Sequence, residues 1–172
     1  MSTVEVREVS EVDARLRAAL LRCWTDVTNA GGAVGFVPPV TEDDVAPTLD
    51  ELLDGVHDGD DVLVVLSVDG EPAGFAALAA AATPLKRHWA SVLRVQVHPS
   101  RQGAGLGRVL MTGVHDAARA HGWEFTHLTV RGGTGREAFY QRLGYEIVGL
   151  MPRALRLGPD DYRDEFALVR PL

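Results

Sequence analysis

The segment from Val95 to Arg108 reads VQVHPSRQGAGLGR. An apolar run ends at His98-Pro99, a polar turn follows, and three alternating glycines, Gly103, Gly105 and Gly107, open an amphipathic helix. A strand that feeds such a helix start presents backbone N–H groups with no partner, at the positive end of the helix dipole. Glycine keeps a Cβ out of the way of an approaching anion, so these residue types in this order suit a phosphate group. Arg101 and Arg108 flank the turn and add positive charge. Two common phosphate loops are excluded. A Walker loop requires Gly-Lys-Ser/Thr, and the single lysine is Lys86, away from the glycines. A dinucleotide fingerprint requires Gly-x-Gly-x-x-Gly after an early strand, whereas these glycines alternate and come past the midpoint of the chain. The same glycines also read as a tight strand-to-helix turn that holds no ligand.

A second motif lies downstream. Ala138 to Gly149, AFYQRLGYEIVG, is a short helix, a glycine stop and a strand. Gln102-x-x-Gly105-x-Gly107 resembles the acyl-CoA pyrophosphate loop of the GCN5-related N-acetyltransferases (GNAT), and the downstream motif resembles the xFYxxxGFxxxG end of the same core. The gap of about 35 residues between them suits that family. The resemblance covers roughly residues 60–170 and thins toward the N-terminus. It implies an α/β fold with a mixed (α+β) sheet flanked by helices and splayed into a V between its fourth and fifth strands. The co-substrate it implies is acetyl-CoA. The backbone of Val95, Gln96 and Val97 would pair with the pantetheine arm, and Gln102, Gly103, Ala104, Gly105, Leu106, Gly107 and Arg108 would cradle the pyrophosphate. The implied reaction is direct transfer of an acetyl group to the primary amine of a small molecule. Tyr140 matches the family tyrosine that protonates the departing thiolate, and Phe139 beside it reads as core.

No residue stands out as the base. Relatives carry a glutamate on the fourth strand where Ser91 falls here, and Arg94 and Gln96 on that strand are not carboxylates. His88, Asp164, Glu165 and a water chain remain open, while His98 and His127 read as structural. The acceptor pocket is expected in the N-terminal half, with Trp24, Asn29 and Phe36 as its residues beside Val34 and Gly35. The stretch Gly31–Pro39 resembles the branch that contains the tabtoxin-resistance acetyltransferases, although Arg131 stands where that branch places an acidic residue. The lack of a carboxylate on the fourth strand keeps a second reading beside the enzyme: an acyl-CoA-binding sensor or interaction module without turnover.

The remaining sequence must position these groups. Val4 to Val9 alternates like an edge strand, and Ser10 with Asp13 predicts a capped helix to about Ala30, ended by Gly31-Gly32. Thr41 caps a second helix to about Val56. Val62–Val68 and Pro72–Ala82 read as a hairpin around Asp69-Gly70. Trp89–Val97 is the strand before the glycines, and Leu106, Leu110, Val114, Ala117 and His121 share one face of the helix after them. Phe125–Val130, a helix at Glu137–Leu143, and closing strands at Tyr145–Leu150 and Asp164–Val169 complete the pattern. This predicts one domain over residues 1–172.

With 46% hydrophobic and 24% charged residues the composition is that of a globular protein. A net charge of −7 with no basic stripe argues against a nucleic-acid partner. The acidic residues Glu42, Asp43, Asp44, Asp50, Glu51 and Asp54 read as a solvated helix face. No signal peptide or membrane-length apolar run is evident, and the single Cys23 reads as a buried small hydrophobe, so the expectation is a cytoplasmic enzyme. No histidine, cysteine and carboxylate spacing suggests a metal site. A small-molecule amine is the expected partner, neither nucleic acid nor membrane is, and a homodimer stays open.

Overall fold

The computed structural model describes residues 2–172. In chain order the elements are β1 (Val4–Val9), α1 (Ala14–Asn29), α2 (Glu42–Asp58), β2 (Asp61–Val68), β3 (Glu71–Ala80), β4 (Trp89–Val97), α3 (Leu106–Ala120), β5 (Phe125–Arg131), α4 (Arg136–Gln141), β6 (Glu146–Gly158) and β7 (Asp161–Pro171). They form one seven-stranded sheet in the order β1-β2-β3-β4-β5-β7-β6. Every neighbouring pair is antiparallel except β4 and β5, so the sheet is mixed as expected.

The near-continuous apolar run of β2 has a simple cause: both faces of the sheet are covered. Val62, Val64 and Leu66 pack with Leu110, Met111 and Val114 of α3. The intervening Leu63 and Val65 pack on the other face with Trp24 of α1 and Leu49 of α2. A strand buried on both sides has no polar face to alternate with. Gly113 lets α3 lie close, because a Cβ there would run into the Val6 side chain of β1.

The helix ends follow capping chemistry, with one correction. Asp13 alone caps α1, accepting from the Leu16 N–H at 2.7 Å, so the helix starts after Asp13 and not at Ser10. Thr41 and Asp44 form a reciprocal capping box on α2. His121 leaves the apolar face of α3: it lies at the C-cap, bonds the Glu8 carboxylate at 2.9 Å and stacks on Trp123. Its place inside the core is taken by His115, 5% exposed. The closing strands are much longer than expected and form one hairpin over Glu146–Pro171, because Gly158-Pro159 moves the turn well beyond Leu150. No helix among the described residues is long and apolar enough to cross a membrane.

The sheet opens at its centre. β4 pairs with β5 only at Trp89, Ala90 and Ser91, opposite Phe125, Thr126 and His127. Beyond Ser91 the two strands part, as the resemblance implies. On its other edge β4 carries a bulge: Leu93 faces Ala77 and Gln96 faces Phe75, so two β4 residues stand against Ala76. Arg94 adopts a left-handed φ of 56° within it, an unfavourable conformation for a residue with a Cβ.

His115 gives the fold an acid-sensitive element. Its Nε2 lies 3.0 Å from the Tyr145 hydroxyl, which lies 2.8 Å from Thr126 Oγ1. Burial, helped by the charges of Arg170 and Arg119, pushes its pKa down from 6.5 to about 4. The unfolded chain therefore binds a proton that the folded chain refuses. The stabilisation is full above pH 6.5 and is lost as pH falls through about 4. Acid titration followed by circular dichroism should show stability falling across this window, and His115→Asn should flatten that limb. An unchanged acid profile in the variant would remove His115 as its source.

Candidate active site

Two cavities flank the opening. The first, of about 390 Å³, lies between the end of β4, the start of α3, and α4. Its walls include Val95, Gln96 and Val97 on one side and Phe139, Tyr140 and Leu143 on the other. The loop between β4 and α3 is closed on itself, with Gln102 Nε2 donating to Val97 O at 2.8 Å. Gly103 and Gly105 adopt left-handed φ values of 84° and 76°, and a Cβ at either would meet nothing within 4 Å. Their glycines are thus set by conformation and leave open space above the backbone. The N–H groups of Arg108 and Val109 turn back to Gly105 O at 3.0 and 3.3 Å. Those of Leu106 and Gly107, at the helix start, have no such carbonyl to reach.

The donor and acceptor pattern of this cavity fits acetyl-CoA. An uncapped helix start with three arginines around it, Arg108, Arg136 and Arg142, suits phosphates, and no carboxylate lines the space. Gln96 is 4% exposed, its Nε2 donates to Arg94 O, and its Oε1 is buried with no partner. A buried amide oxygen without a donor is costly, and an amide-bearing arm in the cleft would supply one.

Of the residues expected here, all except Ala104 line the cavity. Arg101 does not add its charge: it turns to a separate cavity beside Arg22 and Glu71. Arg136 and Arg142, at the two ends of α4, were not singled out in the sequence because more than twenty residues separate them from the glycines. Phe139 packs partly against the core and also lines the cleft, touching the position of a Gly107 Cβ at 3.4 Å.

The second cavity, about 340 Å³, is walled by the Ala33–Val37 loop, the outer part of β4, the end of β5 and the Leu155–Leu157 stretch of the closing hairpin. Tyr140 lines both cavities. Burial pushes its phenol up to about 12, so it stays protonated and available as a donor. Tyr145 stacks edge-on against it at 5.7 Å, but the Tyr145 hydroxyl is taken by Thr126 and His115.

The expected acceptor residues separate. Phe36 lines the second cavity. Trp24 does not: it is 0% exposed, donates its indole N–H to Val34 O at 2.9 Å, and backs the wall edge-on to Phe36. Asn29 is also corrected. Its amide clips both backbone groups of Val40 at 2.9 Å, fixing the loop without reaching the cavity. Among the base candidates, Glu165 alone lines the space. Asp164 accepts from the Arg153 N–H at 2.9 Å, and His88 packs edge-on against Phe125 at the closed end of the sheet. Ser91 and His127 meet at 3.5 Å where the strands part, and His98 is bound between Asp26 and Ser100. The acidic face of α2 lines neither cavity; Asp50 pairs with Arg17 at 2.7 Å. Cys23 is buried and its thiol is pushed up to about 12, which keeps it unreactive. Among the described residues no group of three or more His, Cys, Asp or Glu could hold a metal ion. The hairpin wall was the part missed in the sequence, where the alternation of Leu155 and Leu157 before Gly158-Pro159 was its signal.

The family model for the acetyltransferase (GNAT) family matches residues 15–145. Streptothricin acetyltransferase of Streptomyces lavendulae is 30% identical over 169 residues, covering 87% of this chain and 85% of that protein. Ribosomal-protein-alanine N-acetyltransferase from Brucella melitensis shares the fold with a TM-score of 0.79 at 18% identity, over 98% of this chain and 99% of its own. So does yncA from Salmonella typhimurium, solved with its cofactor acetyl-CoA, with a TM-score of 0.78 at 21% identity over 98% and 94% of the two chains.

The loop geometry makes one test direct. Gly105→Glu would force a Cβ into a left-handed position and put a carboxylate at the uncapped start of α3. Calorimetry should show acetyl-CoA binding lost while circular dichroism shows the fold retained. Unchanged affinity would move the pyrophosphate away from this loop.

Proposed function

The chain belongs to the acetyltransferase (GNAT) family, and from that premise we propose that it transfers acetyl from acetyl-CoA to the primary amine of a small molecule held in the second cavity. That it is an acetyl-CoA-dependent acetyltransferase follows from the family. The acceptor and the residue roles are our reading. The observation that carries it is the position of Tyr140, which lines both cavities and separates a phosphate-suited cleft from one with a carboxylate in its wall.

Acetyl-CoA supplies a thioester, whose carbonyl carbon the amine attacks and whose sulfur leaves as a thiolate. The chain supports this in three ways. The β4 edge and the α3 start hold the thioester at the parting of the sheet, which turns an encounter into an intramolecular step. Glu165, the carboxylate of the second cavity, accepts the proton that the amine must lose, directly or through water. Tyr140, kept protonated by burial, donates to the departing sulfur.

The test is release of CoA thiol against a panel of small amines that includes streptothricin. Tyr140→Phe should lower turnover by roughly 10²- to 10⁴-fold, the usual size of a general-acid effect, with acetyl-CoA affinity nearly unchanged. A variant as fast as wild type, with chemistry limiting, would remove Tyr140 from the reaction. Phe36→Ala should raise the acceptor KM or lower its turnover and leave acetyl-CoA binding intact; the reverse pattern would displace the acceptor from the second cavity. Binding of acetyl-CoA with no thiol release from any amine would favour a non-catalytic binding module.

A further inference from the structure

The second cavity is walled by Arg94, Arg131 and Arg156, against a single carboxylate, Glu165. This is a cationic space on a chain whose net charge is −7. The β4 bulge turns the Arg94 guanidinium over the Trp24 ring at 5.2 Å, where Nη1 donates to Val34 O at 3.3 Å. Gly35 makes room for it, since a Cβ there would strike Nη1. These contacts fix the group without neutralising it. Arg131 ends β5, opposite Glu165 of β7 in register, and its Nε is buried with no hydrogen-bond partner. Among the described residues neither arginine takes part in a salt bridge. Burial lowers both pKa values, yet guanidinium groups start so high that they remain charged. Arg156 differs: it is exposed, and its Nε is engaged by Gly158 O in its own hairpin at 3.2 Å.

Two part-buried cations that share one carboxylate and make no salt bridge are costly, and a ligand that brings a further anion recovers that cost. The phosphates of acetyl-CoA have their own arginines in the first cavity. We infer that the acceptor is an amine that also carries a carboxylate, which Arg94 and Arg131 bind while its amino group stays beside Glu165 and Tyr140. This inference rests on the reading of the second cavity as the acceptor site. A guanidinium fork matches a carboxylate in geometry and strength. An amine without an anionic group meets net repulsion here, whereas an amino acid arrives with no net charge. Nearby positive charge also favours the neutral amine, the form that attacks a thioester. A volume of about 340 Å³ accommodates a molecule of that size.

The experiment is thiol release by the full chain with three matched sets of probes: L-amino acids, their methyl esters and their decarboxylated amines. The free acids should show the highest kcat/KM. Arg131→Gln should cut the acid-over-ester ratio roughly 10- to 100-fold, as expected on losing a charged hydrogen-bond partner, and should act through KM more than kcat. Arg94→Gln should move the ratio in the same direction. Calorimetry with acetyl-CoA checks that each variant keeps its fold and first cavity. Esters or decarboxylated amines used as well as the acids by the wild-type chain would overturn the inference without need of any variant, as would an unchanged ratio in Arg131→Gln. If acetyl-CoA binds and another small amine such as streptothricin releases thiol while no amine of these sets does, this inference alone falls; if none of them does, the small-amine reading falls with it.

Discussion

A sheet cannot leave its central backbone groups unpaired without something to replace the lost hydrogen bonds, and β4 and β5 part after only three paired residues. The rest of the site follows from that parting. β5 keeps its order because β7 pairs with it along its whole length, from Phe125 with Pro171 to Arg131 with Glu165. β4 keeps its order because β3 holds its other edge, apart from the bulge at Arg94. The opening is therefore a rigid gap between two well-paired halves. An extended ligand rich in amides can complete the edges, and the buried free oxygen of Gln96 lies in the wall where such a ligand would run.

The short helix α4 borders the same gap and carries Tyr140, which lines both cavities. Six residues cannot sustain a helix alone, so its position must come from packing. The Phe139 ring packs over the Gly107 position of α3, and Gly144 in a left-handed turn ends the helix. Arg170 reaches from β7 to donate to Leu143 O at 2.7 Å, and Tyr145 is pinned by Thr126 and His115. Tyr140 thus stands on an element clamped from α3, β5 and β7 at once. The polar network of His115, Tyr145 and Thr126 holds that clamp and takes no other part in the site.

The parts legible in the sequence were those whose chemistry is local. Thr41 with Asp44, the Asp69-Gly70 turn and the alternating glycines each act within a few residues, and each element boundary they mark is within a residue or two of the expected one. The three glycines and the downstream tyrosine motif were enough to expect both the splay and the cofactor cleft. What was not legible depends on contacts between distant segments. Trp24 and Asn29 lie on the first helix as expected, but whether they face a cavity is decided by the loop that folds over them, and both are spent in holding Val34 and Val40. Glu165 could not be told from Asp164 by sequence, because adjacent residues of a strand point to opposite faces and only the register with Arg131 decides between them. The arginines were scattered over β4, β5, α4 and the last hairpin, with no shared motif to group them.

Their grouping resolves an apparent contradiction in the charge. An acidic chain that must bind a polyanionic co-substrate works against its own net charge unless cations are gathered at the site. Arg108, Arg136 and Arg142 line the first cavity and Arg94 and Arg131 the second. Acidic residues on α2 lie away from both and are partly consumed, the Asp44 carboxylate by accepting from the Thr41 N–H and hydroxyl and Asp50 by Arg17. A concave, partly desolvated site magnifies the nearest charges, while distant ones are screened beyond about 8–10 Å at physiological salt. The local sign therefore governs what the clefts attract. The bulge contributes to this directly, since a regular β4 would point Arg94 along the alternation of its strand. The left-handed turn at that residue lays the guanidinium across Trp24 and against the loop that closes the second cavity. An unfavourable backbone conformation is thus held in place by cation–π contact and a hydrogen bond, and what it secures is a fixed positive charge in the wall of the second cavity.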